Sequence, residues 1–275
     1  MTWISGYISL VPRRPSHCHP QLRLSRVILN LVMPTFFCSI CLLFFLCLSL
    51  FAAGQERARL PGGPTASSPA IVIGFVGGFV RHDDLVHSPV QLAGRLREDY
   101  PTGVYVEVFE NRRREDARQK ILRLLDANQD GTLAAEEKQY ARIIIYGISW
   151  GASESIELAR ELEKDGIPVL LTVQVDSIAK SHQNDALIPA NVAEAANFYQ
   201  PSGLLHGRPE IRGADPAHTR ILGNFRFSYE ANPISCAKYP WYDRVLVKSH
   251  TEIECDPAVW KQVESLIRSK LPKKD

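Results

Sequence analysis

The chain has 275 residues, of which 45% are hydrophobic and 23% charged, the balance of an ordinary globular protein and not of a disordered or fibrous one. Its net charge of +2 is unevenly spread: residues 1–54 hold four arginines (Arg13, Arg14, Arg23, Arg26) and no acid, leaving 28 basic against 30 acidic residues beyond them. A remainder of −2 excludes polyelectrolyte character and gives no basis for nucleic-acid binding.

The first element is a leader. Phe36–Ala53, "FFCSICLLFFLCLSLFAA", is an uncharged apolar run preceded by arginines and followed by small residues. That order is the order of a secretory signal. Its length also approaches a membrane span, so residues 1–54 read as a signal peptide or as an uncleaved anchor, with the domain exported in either case. Residues 55–69, ending "RLPGGPTASSP", are a linker rich in Pro, Gly and Ser, and the folded domain is expected over 70–275. Four of the six cysteines fall in the leader. In an oxidising compartment the remaining two, Cys236 and Cys255, are either disulfide-bonded or two separate buried thiols.

Within the domain, "AIVIGFVGGF" (70–79) is a continuous apolar run ending in paired glycines, as expected of a buried parallel strand entering a tight loop. Residues 88–100 have helical spacing, 103–110 read as a second strand, and 114–125 as an amphipathic helix. A third strand is expected at 141–149, a helix at 153–166 and a fourth strand at 167–177. Residues 189–201 are ambiguous between helix and strand, 197–243 read as irregular, 242–250 as a late strand, and 257–271 as the last helix. This alternation predicts an α/β domain: a mainly parallel sheet of about six strands with helices on both faces.

Two motifs adjoin in the middle. "DANQDGTLAAEE" (126–137) fits the EF-hand loop D-x-[DN]-x-[DN]-G-x5-E. Asp126, Asn128 and Asp130 offer side-chain oxygens, Thr132 a carbonyl and Glu137 a bidentate carboxylate, while Gly131 allows the turn. The loop is inserted just before the third strand, and a lone loop favours a structural Ca2+ ion over a calcium switch. The second motif, "GISWG" (147–151), fits Gly-x-Ser-x-Gly between a strand and a helix, the setting of a nucleophile elbow. Ser149 needs a base and the base needs an orienting carboxylate. His250, between the expected last strand and the last helix, is the favoured base. Asp176, at the end of the fourth strand, is the favoured acid over Asp185 and Asp215.

The order Ser149, Asp176, His250, with "GFVGGF" early and "SHTEIECDPAVW" late, resembles a small secreted α/β-hydrolase of the lipase, esterase or thioesterase kind over about residues 70–271. The resemblance implies oxyanion donors at the backbone N–H of Trp150 and of Gly78 or Phe79, and a small-molecule or lipid ester substrate. In many relatives the acid stands one strand later than Asp176 does. Two further readings stay open: a non-catalytic calcium-binding protein on a hydrolase-like scaffold, and an anchored surface protein that binds a partner through the aromatics of 197–243.

Overall fold

The computed structural model describes residues 69–273, so the expected leader and most of the linker lie outside the described residues. Pro64–Asp275 is one compact unit. It carries a six-stranded sheet of β1 (Ala70–Val76), β2 (Val104–Glu110), β3 (Ile143–Ile148), β4 (Val169–Val175), β6 (Val192–Tyr199) and β8 (Arg220–Arg226), in the order β2-β1-β3-β4-β6-β8. Every pairing in it is parallel. Two short strands, β5 (Leu187–Ile188) and β7 (Arg212–Gly213), pair beside it.

Parallel strands need crossovers that cover both faces, which is why β1 and β3 are buried along their whole length. Ile71, Ile73, Phe75, Ile143 and Ile145 form one core with α2 (Arg114–Leu125) and α4 (Trp150–Lys164). Val72, Val76, Ile144, Tyr146 and Ile148 form the other with α1 (Ser88–Asp99) and α7 (Pro257–Arg268). Gly74 makes room there, since a Cβ would stand 2.6 Å from the Tyr146 ring. That lets the Tyr146 hydroxyl donate to the Pro89 carbonyl at the start of α1, at 2.9 Å. Among the described residues, both cores are drawn from residues 70–271.

The α/β class, the parallel sheet and the helices on both faces are as expected from the sequence. The ambiguous 189–201 holds strand β6. The late strand expected at 242–250 does not form. Residues there fold as α5 (Trp241–Leu246) and α6 (Lys248–Cys255), with α3 (Ala135–Gln139) the remaining short helix. The sheet's edge is supplied by β8, inside the segment read as irregular. β8 lacks a strand's usual signature because it is an edge with a glycine at its centre and a register shift against Ala195/Ala196. Cys236 and Cys255 form a disulfide with a Cα–Cα separation of 5.9 Å. Among the described residues no helix is long and apolar enough to cross a membrane.

Candidate active site

All main strands run the same way, so their C-terminal ends lie along one edge of the sheet. The residues immediately beyond β1, β2, β3, β4 and β6 are Gly77, Asn111, Ser149, Asp176 and Gln200. These five are the frame of the candidate site.

Ser149 stands between β3 and α4 with φ 56° and ψ −129°, a conformation non-glycine residues rarely adopt. The flanking glycines are required by contact: a Cβ on Gly147 would stand 2.5 Å from the Gly151 carbonyl oxygen, and one on Gly151 2.5 Å from that of Phe75. The turn is held by the Ser149 N–H donating to Val175 at 3.0 Å and by its carbonyl accepting from Ala152 at 3.0 Å. Trp150 is the first residue of α4, so its N–H lies outside the helix's internal ladder.

Asp176 is fully buried, and its backbone is also left-handed at φ 42°. Its carboxylate accepts from the Gln200 N–H at 3.1 Å, Gln200 Nε2 at 2.9 Å and the Gly207 N–H at 2.6 Å, and meets His250 Nδ1 at 2.7 Å. The competitors are occupied elsewhere. Asp185 accepts from Ser177 at 2.6 Å and pairs with Arg208, while Asp215 pairs with exposed His218.

His250 lies on α6, on a helix and not on the loop expected from the sequence. Its burial pushes the imidazole pKa down, but the hydrogen bond and charge of Asp176, backed by Glu254 and Asp243, push it further up, above the ordinary histidine value. Ser149 and His250 line one cleft of about 550 Å³, together with Gly77, Gly78, Phe79 and Trp150. The structure thus brings the three expected triad residues and the expected oxyanion residues to one place.

Several residues of the site were not singled out in the sequence. Asn111 donates from Nδ2 to the Gly78 carbonyl. Because a trans peptide points its C=O and N–H in opposite directions, this leaves the Phe79 N–H on the side away from Asn111. Lys180 donates to the Asn111 carbonyl at 2.9 Å and pairs with Glu154 of α4 at 2.7 Å, tying this loop to the elbow helix. Phe79 packs edge-on against Trp150, with ring centroids 5.8 Å apart. His87 also lines the cleft, with Nδ1 2.7 Å from Glu254. Of the aromatics of 197–243, Tyr242 lines the cleft, whereas Phe198 is core and stacks on Phe225. None of these roles has a local sequence signature, since each depends on a loop arriving from elsewhere.

The loop 126–137 is exposed and tightly turned, with Gly131 at φ 82°. Its carboxylates cap loop amides: Asp126 accepts from Asp130 and Gly131 at 3.2 and 3.0 Å, and Glu137 from Ala127 and Ala134, both at 2.9 Å. Asp130 accepts from the Thr132 N–H at 2.8 Å, and Asn128 from that of Asp130 at 3.0 Å. Leu133 packs on the core of α2. The all-oxygen donor set suits a hard cation. As placed, however, no group of three or more His, Cys, Asp or Glu side chains converges to hold a metal among the described residues.

No family model matches this chain, and no curated protein matches it either. Among solved structures, it is similar to the RedJ thioesterase of the prodiginine biosynthetic pathway in Streptomyces coelicolor, with 10% identity, a TM-score of 0.40, and coverage of 79% of this chain and 98% of that one. A protein of Xanthomonas campestris pv. campestris assigned to the alpha/beta hydrolase superfamily shows 15% identity and a TM-score of 0.35, covering 73% of this chain and 99% of the other. A RedJ structure with a polyethylene glycol molecule in its active site shows 12% identity and a TM-score of 0.33, over 70% and 92%. At such scores the roles of residues in this chain follow from its own geometry.

Proposed function

We propose that this protein is an exported serine hydrolase that cleaves an ester or thioester through an acyl-enzyme on Ser149. The observation that carries the reading is the buried Asp176–His250 pair at 2.7 Å, delivered to the cleft that also holds the strained Ser149. A hydroxyl becomes a useful nucleophile when a base accepts its proton. Ser149 Oγ attacks the substrate carbonyl carbon while its proton passes to His250, and Asp176 stabilises the imidazolium that forms. The negative oxygen of the intermediate is held by the N–H groups of Trp150 and Phe79, the Phe79 donor being fixed in direction by Asn111. Collapse expels the alkoxide or thiolate, which takes the proton from His250. Water then repeats the sequence and releases the acid.

The disulfide and the leader sequence support export. The same reading includes one structural calcium ion held by Asp126, Asn128, Asp130, Thr132 and Glu137. Its part would be to stiffen the connection from α2 to β3, upstream of the elbow.

The test is labelling of residues 64–275 with a fluorophosphonate probe, beside Ser149→Ala. Labelling lost in the variant supports an activated Ser149. Absence of labelling in well-folded wild type sinks the hydrolase reading.

A further inference from the structure

We propose that α5 and the rim of the cleft form a docking surface for anionic lipid, from which the site draws an ester with an apolar chain. Four of the six side chains of α5 are large, apolar and exposed: Trp241 (66%), Tyr242 (49%), Val245 (67%) and Leu246 (67%). The pairs Trp241/Val245 and Tyr242/Leu246 are each one turn apart, so they form two adjacent rows on one side of the helix. Phe79, 87% exposed, stands on the cleft wall, and Leu204, 84% exposed, precedes the wall residue Leu205. Large apolar side chains grouped in this way on a folded surface mark a contact.

The charges choose the occupant. Arg244 stands among these residues and Lys238 and Lys248 flank them, all three exposed, with Glu252 3.9 Å from Lys248; Asp243, the sole acid between 237 and 249, is partly buried on the cleft wall, which Asp84 and Glu254 also line. An apolar face flanked by lysine and arginine suits the boundary of an anionic bilayer. Phe79, Tyr242, Val247 and Leu205 also give the cleft wall itself an apolar share. A protein partner seated on this rim would cover the entrance, whereas a lipid surface would supply substrate through it.

The substrate half of the proposal rests on the hydrolase reading; the docking half does not, and is measured without turnover. Residues 64–275 are sedimented with vesicles of phosphatidylcholine containing phosphatidylglycerol, and with phosphatidylcholine alone. Binding to the anionic vesicles is expected, weakened by added salt. The double variant Trp241→Ser/Leu246→Ser should bind at least about tenfold more weakly, since two side chains worth of apolar contact are removed. Neither residue lines the cleft, so turnover of a short soluble ester should stay unchanged. Ser149→Ala should bind vesicles like wild type. Wild type that does not bind, or a double variant that binds as well as wild type, overturns the proposal. So does a dimer in sedimentation velocity that the double variant dissolves without any vesicle binding, which would assign the surface to a second copy. Vesicle binding by a protein that the fluorophosphonate does not label would sink the hydrolase reading and leave the docking surface standing.

Discussion

Gly207→Ala tests whether the carboxylate behind His250 is held as tightly as the geometry requires. A Cβ at this position would stand 2.4 Å from Asp176 Oδ1, 2.7 Å from its Cα and 2.9 Å from its carbonyl carbon. Two of the three are backbone atoms in a fully buried setting, so no flexible side chain can yield. Either the 207 loop withdraws and its N–H leaves the carboxylate, or Asp176 moves and His250 moves with it. Overpacking costs about 1–3 kcal/mol, and a hydrogen bond to a charged group is worth about 1.5–3 kcal/mol. The two losses overlap, giving an expected destabilisation of about 2–4 kcal/mol by urea unfolding of residues 64–275. A displacement near 1 Å in a catalytic frame lowers rates by about a hundredfold, which the second-order rate of fluorophosphonate labelling would read. Gly94→Ala is the control: it lies in mid-helix with open space around it and should gain up to about 1 kcal/mol with labelling unchanged. A Gly207→Ala protein that unfolds and labels like wild type would refute the argument.

Asn111→Ala should slow labelling by about ten- to a hundredfold while the melting curve shifts little, because it frees the peptide that aims the Phe79 N–H. On the proposed hydrolase mechanism the base form of His250 takes the serine proton, and its pKa is raised, so labelling should climb with pH through a midpoint above the ordinary histidine value; a midpoint at or below that value would contradict the pairing with Asp176. The same raised pKa adds stability that is full below the ordinary value and is lost as pH rises through the folded-state value, so Asp176→Asn should flatten the fall in stability over that window. Calcium should raise the melting temperature of residues 64–275, chelator should lower it, and Glu137→Gln should abolish the difference; a calcium-independent wild-type melt would dismiss the metal.

The fold was legible where the chain has to satisfy both faces of a parallel sheet at once. β1 and β3 are unbroken apolar runs because helices cover them on either side, and the glycines at 147 and 151 announced the elbow because only glycine fits there. The reading failed at the sheet's edge. β8 buries few side chains, so its sequence had little reason to alternate, whereas "RVLV" in 244–247 has the β-branched composition of a strand and folds into short helices. There Val245 and Leu246 face outward, so burial could not have been the reason for their hydrophobicity. A pattern that usually means core here means surface, and composition alone does not separate the two.

The same limit explains which half of the site was visible. Ser149 and Asp176 are fixed by strand ends, which sequence periodicity locates to within a residue or two. Their supports are fixed by loops that return to the sheet edge over long separations, such as Asn111 reaching back to Gly78 and Gly207 reaching to Asp176. Gln200 is the most instructive of them. It follows β6, one strand beyond Asp176. Here that position holds an amide, whose Nε2 and backbone N–H both donate to Asp176. β4 is the direct neighbour of β3, so an acid placed there must reach across less of the sheet but must be turned toward His250. Gln200 and Gly207 fix that direction: their two backbone N–H groups hold Oδ1, and Gln200 Nε2 shares Oδ2 with the His250 ring. The left-handed backbone at Asp176 is consistent with this: its strain is tolerable because three donors from the neighbouring strand and loop hold the carboxylate where it is.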